Sequence, residues 1–204
     1  MSVTLKRRAL IRTGVALGAL PLLAACSDRP FFRNTDITGA DFAKDFELTD
    51  HHGVVRRLAD FRGRLVVVFF GFTYCPDVCP STMAEMGEVM RALGPQAAAD
   101  IQVIFITVDP ERDTAELLAQ YVPAFDTRFL GLRGDAEATA RVAKNFRVFY
   151  QKVPGKTPGS YTIDHTAGSY VFDRQGRVRL FIKHGAGAAP IEADMRRLLS
   201  ESSR

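Results

Sequence analysis

Two cysteines four residues apart, Cys75 and Cys79, lie in the segment Phe72-Thr73-Tyr74-Cys75-Pro76-Asp77-Val78-Cys79-Pro80. Thiolates attack disulfides and are soft ligands for Cu(I), so a close pair serves either redox exchange or metal binding. On a turn that opens a helix, residues i and i+4 fall on one side, near enough to share a metal or form a disulfide. Amide donors and the positive end of a helix dipole there favour thiolate and lower the pKa of the nearer sulfur. An inert structural disulfide is the third reading, but it would close a very short loop and stabilise little.

Positioning such a pair requires a strand that ends beside it and a helix that starts in it, which is where α/β proteins build their sites. Leu65 to Phe72 is a continuous apolar run of strand length, as in a central strand covered on both faces. After the cysteines, Met83, Met86, Met90 and Leu93 fall at helical spacing as far as Gly94-Pro95, which should stop the helix. Ile101 to Val108 is a second buried strand. Asp113-Thr114-Ala115-Glu116 has the form of a capping box, opening a helix that runs to about Val122. A short strand at Phe129 to Leu132, a helix from Asp135 to Asn145 and a strand from Val148 to Val153 follow, then a Pro/Gly loop over residues 154–160. Ser169 to Asp173 and Val178 to Ile182 read as a hairpin, and Ile191 to Leu199 as a closing helix. Near the start, Phe46 to Leu48 and Val54 to Leu58 flank a turn at His51-His52-Gly53 and suggest an N-terminal β-hairpin. Strands alternating with helices, then a terminal hairpin and helix, indicate an α/β sandwich with a central mixed sheet.

The 204 residues carry 27 Lys and Arg against 23 Asp and Glu, with 47% hydrophobic and 25% charged residues, an ordinary globular composition. Four of the bases (Lys6, Arg7, Arg8 and Arg12) precede an apolar run from Thr13 to Ala25, and that leader holds no acid. The run is too short to span a bilayer and ends in small residues, as a secretory signal does. It closes with Leu23-Ala24-Ala25-Cys26, which looks like a bacterial lipobox, so Cys26 is the expected lipidation site. The paired arginines also resemble a twin-arginine export signal, leaving the Sec and twin-arginine routes both open. Removing the leader leaves 23 bases against 23 acids, and the electrostatic case for nucleic acid disappears. The expected organisation is a signal peptide over 1–25, a lipidated tether over 26–40 and one domain over 41–204. The chain would then sit on the periplasmic side of a bacterial membrane, where thiols oxidise or bind metal.

Gly71-Phe72-Thr73-Tyr74-Cys75-Pro76-Asp77-Val78-Cys79-Pro80 resembles the signature of the Sco/SenC family of thioredoxin-like copper proteins. Val108-Asp109-Pro110-Glu111-Arg112-Asp113-Thr114, Phe129-Leu130-Gly131-Leu132-Arg133-Gly134 and Asp164-His165-Thr166 ahead of Tyr170-Val171-Phe172-Asp173 resemble further family motifs, in the family's order. The resemblance implies a thioredoxin-like fold with Cys75, Cys79 and His165 as ligands to one copper, Cu(I) or Cu(II). It also implies delivery of that copper to the CuA centre of cytochrome c oxidase subunit II, with another periplasmic copper chaperone or a thiol reductant as further partners. Metal exchange is not turnover, so the implied role is a chaperone rather than an enzyme. The alternatives are a thiol–disulfide oxidoreductase that keeps the oxidase cysteines reduced, and a copper or redox sensor. The Cys-x-x-x-Cys spacing and the absence of a proline between Ser160 and Tyr170 depart from ordinary thioredoxins and favour metal binding over pure redox exchange.

Other residues are assigned simpler roles. The methionine stripe is expected in the core, and His51 and His52 are expected to be solvated in their turn. His184 is given no role. Asp77 is read as a helix cap or an outer acceptor of the metal site, and Asp164 as an acid that orients His165 or an exposed turn residue. Asp109 and Asp113 are expected to fix the strand-to-helix turn. Arg177, Arg179 and Lys183, alternating with Val178, Leu180 and Ile182, are expected on a solvated strand face.

Overall fold

A computed structural model describes residues 31–201. The leader, with Cys26, lies outside the described residues. Among the described residues, no helix is long and apolar enough to cross a membrane.

The described residues form ten strands and four α-helices, in chain order: β1 (Thr35–Asp36), β2 (Glu47–Asp50), β3 (Val55–Arg57), β4 (Leu65–Gly71), α1 (Val78–Ala99), β5 (Ile101–Thr107), α2 (Ala115–Tyr121), β6 (Leu130–Arg133), α3 (Ala136–Asn145), β7 (Tyr150–Pro154), β8 (Tyr161–His165), β9 (Gly168–Phe172), β10 (Val178–Lys183) and α4 (Ala188–Glu201). Eight strands form one mixed sheet in the order β1-β10-β9-β4-β5-β6-β2-β3, while β7 and β8 form a separate two-stranded sheet. The central strands are the continuous apolar runs. In both β4 and β5 every residue is buried, and the two pair in parallel from Leu65↔Ile101 to Gly71↔Thr107. On its other edge β4 pairs antiparallel with β9. The mixed sheet, the flanking helices and the β2–β3 hairpin match the expected architecture. Met83, Met86 and Met90 are buried in the core as expected.

Several local expectations change. The turn of α1 at Gly94 has φ of 79°, a left-handed conformation that glycine adopts without penalty, and Pro95 then starts a second helical stretch to Ala99. The expected stop at Gly94-Pro95 is thus present, and a second short helical stretch follows it across a kink. Thr114, not Asp113, caps α2, accepting from the Leu117 amide at 3.2 Å. Arg179 is not on a solvated face: it is 8% exposed and bonds Glu201 at 2.8 Å, with Asp173 3.6 Å away. His51 is likewise buried, because its Nδ1 accepts the Gly131 amide at 3.0 Å. The polar stretch read as tether is docked from Phe32 onward: Phe32 is 6% exposed, the Arg33 and Asn34 amides donate to Asp194 at 2.9 Å, and β1 pairs with β10. The buried Asp194 carboxylate requires such donors, which a solvated tether would not supply.

Candidate metal centre

β4 delivers the chain to the site. It ends at Gly71, and the loop Phe72 to Asp77 carries Cys75 before α1 begins. Cys79 lies in the first turn of α1 and is fully buried, whereas Cys75 is half-buried. Both sulfurs are free thiols. The Cys79 amide donates to Cys75 Sγ at 3.4 Å, so the start of the helix closes onto the sulfur four residues back. Cys79 reaches this position because residue 71 has no side chain: a Cβ there would lie 2.8 Å from Cys79 Sγ and from Phe69, and 2.9 Å from Phe105.

His165, the last residue of β8, completes the cluster with Nε2 3.6 Å from Cys79 Sγ. Its other ring nitrogen, Nδ1, lies 3.1 Å from the Thr166 carbonyl. A carbonyl only accepts, so Nδ1 carries the hydrogen and the lone pair of Nε2 points to the sulfurs. The edges of Phe69 and Phe72 wall the imidazole, with ring centroids 6.1 and 5.9 Å from it. Burial among these rings lowers the His165 pKa and keeps the ring neutral, as a metal ligand must be. The same burial pushes the Cys79 thiol well above its ordinary range, against the dipole expectation. At Cys79, desolvation outweighs the helix terminus. A metal cation, by supplying the missing positive charge, would displace that proton.

Sγ of Cys75, Sγ of Cys79 and a ring nitrogen of His165 all lie within 4.8 Å of one another. Two thiolates and one imidazole make a soft three-donor set suited to trigonal Cu(I), and also able to hold Cu(II). A cleft of about 300 Å³ opens beside the cluster between Phe72, Pro76, Val78, Ile163 and Ala167. Asp77 and Asp164 also line it, but among the described residues neither carboxylate accepts a hydrogen bond. Asp77 stands at the N-cap of α1 without a side-chain cap bond, and Asp164 is exposed on β8. The orienting acceptor for His165 is the Thr166 carbonyl, not Asp164.

Sequence reasoning passed over the frame of this site. Asp113 fixes its own turn, as expected, with its amide donating to the Asp109 carbonyl at 2.9 Å, and it also reaches across to the cysteine loop. It accepts from Thr73 Oγ1 at 2.6 Å, the Thr73 amide at 3.1 Å and Thr107 Oγ1 at 2.6 Å. Burial raises its pKa despite these three donors. Gly71 and Asp113 both fall in motifs quoted for the resemblance, but nothing local in those motifs reveals what each touches. His184 bonds the buried Thr82 of α1 at 3.0 Å.

A model of the SCO1/SenC family matches residues 34–200. The chain belongs to the SCO1/SenC family. Among SCO1/SenC relatives, the mitochondrial SCO2 homologue of Bos taurus is 41% identical over 154 residues, 75% of this chain and 58% of that protein. The chain thus spans under two thirds of that relative's length. ScoI of Bradyrhizobium japonicum, solved with copper bound, is 41% identical and superposes with a TM-score of 0.70 over 76% of this chain and 97% of that one. Apo Sco1 of Thermus thermophilus is 39% identical, with a TM-score of 0.74 over 84% of this chain and 99% of that one. The SCO1/SenC fold is thioredoxin-like, as the sequence motifs implied.

Proposed function

We propose that this chain is a copper metallochaperone that loads the CuA centre of cytochrome c oxidase subunit II, working from the periplasmic face of a bacterial membrane to which Cys26 anchors it. The observation that carries this reading is the convergence of two thiols and a neutral imidazole from a loop, a helix and a separate hairpin onto one point. Membership of the SCO1/SenC family and the copper bound in ScoI of Bradyrhizobium japonicum support it. Copper is cargo here. Cys79, buried and last to be reached by solvent, holds the ion while Cys75 at the surface exchanges first with an incoming thiolate of the target. His165 lets go through its hairpin, and Cys79 regains its proton as the ion leaves.

The runner-up, a thiol–disulfide reductase acting on the target's cysteines, is favoured by one observation: the two cysteines share one turn, with the Cys79 amide donating to Cys75 Sγ at 3.4 Å. Mixing the protein, with and without Cu(I), with the subunit II copper domain in reduced or disulfide form separates the two. A chaperone moves copper onto the reduced domain, and His165→Ala impairs that transfer. A reductase acts on the disulfide form without copper, and His165→Ala leaves it active.

A further inference from the structure

The hairpin that carries His165 is weakly founded. β7 and β8 pair only with each other, from Tyr150↔His165 to Pro154↔Tyr161, and take no strand partner from the main sheet. An isolated two-stranded hairpin is marginal in water, so its orientation must come from side chains. At the His165 end, the Thr166 amide donates to the Phe149 carbonyl at 2.9 Å, and the Phe149 amide donates to Thr166 Oγ1 at 3.0 Å. At the opposite end, Tyr161 is held by the turn that follows β5. Its hydroxyl donates to the buried Asp109 carboxylate at 2.9 Å, and its carbonyl accepts from Arg112 Nη1 at 2.9 Å.

Arg112 is the hub of this contact. Its Nε donates to Asp109, and its guanidinium lies 3.7 Å from the centre of the Tyr161 ring. The same guanidinium lies 4.9 Å from the Tyr74 ring and 5.8 Å from the Phe72 ring, both in the loop that carries Cys75. Nη2 is buried without a hydrogen-bond partner, consistent with a planar cation bounded by π faces rather than by acceptors. Lys152 of β7 adds a second tie, bonding Glu111 at 2.6 Å and lying 4.6 Å from the Tyr161 ring. One side chain thus touches both the cysteine loop and the hairpin that ends in His165.

We infer that Arg112 is a positioning residue, a latch that holds the β7–β8 hairpin against the cysteine loop so that His165 faces Cys79. This rests on reading the site as a copper centre, and it assigns the registration of the third ligand to a residue that touches none of the three. Losing the latch leaves the two thiols in place and frees the histidine.

The test uses the full chain with Arg112→Met, which keeps the apolar stem, and Tyr161→Phe, which keeps the ring but drops the bond to Asp109. Hydrogen exchange of residues 161–165 is followed in the metal-free proteins, and Cu(I) affinity and the Cu(II) absorption spectrum in the loaded ones. Arg112→Met is expected to speed exchange in β8 and weaken Cu(I) binding, each by about tenfold, with a shifted Cu(II) spectrum. Tyr161→Phe should do the same to a smaller degree, which keeps the test open if Arg112→Met does not fold. In a His165→Ala background, Arg112→Met should weaken copper no further. Unchanged exchange and affinity, or an equal loss in the His165→Ala background, would overturn the latch. If the unaltered chain takes up no copper, the copper reading fails by itself, and the exchange comparison still decides whether Arg112 holds the hairpin.

Discussion

Cys75 and Cys79 stand four residues apart in very different surroundings. Cys79 is 0% exposed, with its thiol pKa pushed up by burial, while Cys75 is partly open and accepts an amide hydrogen bond at the start of α1. A thiolate-selective alkylating agent in limiting amount is therefore expected to modify Cys75 ahead of Cys79, as mass spectrometry of the metal-free protein will show. Gly71 is the residue that permits this packing. Gly71→Ala would set a methyl 2.8 Å from Cys79 Sγ and against two phenylalanine rings, and should lower stability in urea by about 1–3 kcal/mol. The same substitution should displace Cys79 and weaken metal binding. The cysteine pair was legible in the sequence because its members are neighbours in the chain. The opposite pKa of Cys79 was not, since burial is decided by Phe69, Phe105 and a glycine that only the fold gathers.

The turn between β5 and α2 frames the site, with Asp113 holding the cysteine loop. Asp113→Ala leaves the Thr73 amide and the Thr107 hydroxyl without their acceptor and is expected to lower stability by about 3 kcal/mol, read from chemical denaturation. A second element-level device joins β2 to β6 through His51. Burial lowers its pKa, with His52 adding to the effect, and the Gly131 amide needs Nδ1 unprotonated. A histidine depressed in the folded state adds full stability above its unfolded pKa of about 6.5 and loses it as pH falls below that value. The stability difference between the parent protein and His51→Gln, measured in urea, should therefore shrink between pH 7.5 and pH 5. β4 and β5 were legible as unbroken apolar runs that need cover on both faces. β8 was not, because Tyr161 to His165 buries only Ile163 fully and pairs with nothing but β7.

At the scale of the whole molecule, the fold joins pieces that no local pattern connects. Asp194 on α4 receives the Arg33 and Asn34 amides from the far end of the chain, so the start of the domain at Phe32 could not be seen in its own residues. His165 meets Cys79 across 86 positions, and only its resemblance to a family motif singled it out beforehand. The proposed anchor is tested separately: Cys26→Ser should move the exported protein from the membrane to the soluble fraction on fractionation, and continued membrane association would argue against lipidation at that residue. The convergence of two sulfurs and one imidazole is the centre of the account, and a Cu(I) titration against a competing chelator tests it most directly. The unaltered chain should bind one Cu(I), and Cys75→Ser and Cys79→Ser should each lose tight binding. His165→Ala should weaken it by more than the roughly 10–100-fold that partners outside the ligand set contribute. Copper affinity that survives His165→Ala unchanged would contradict the account.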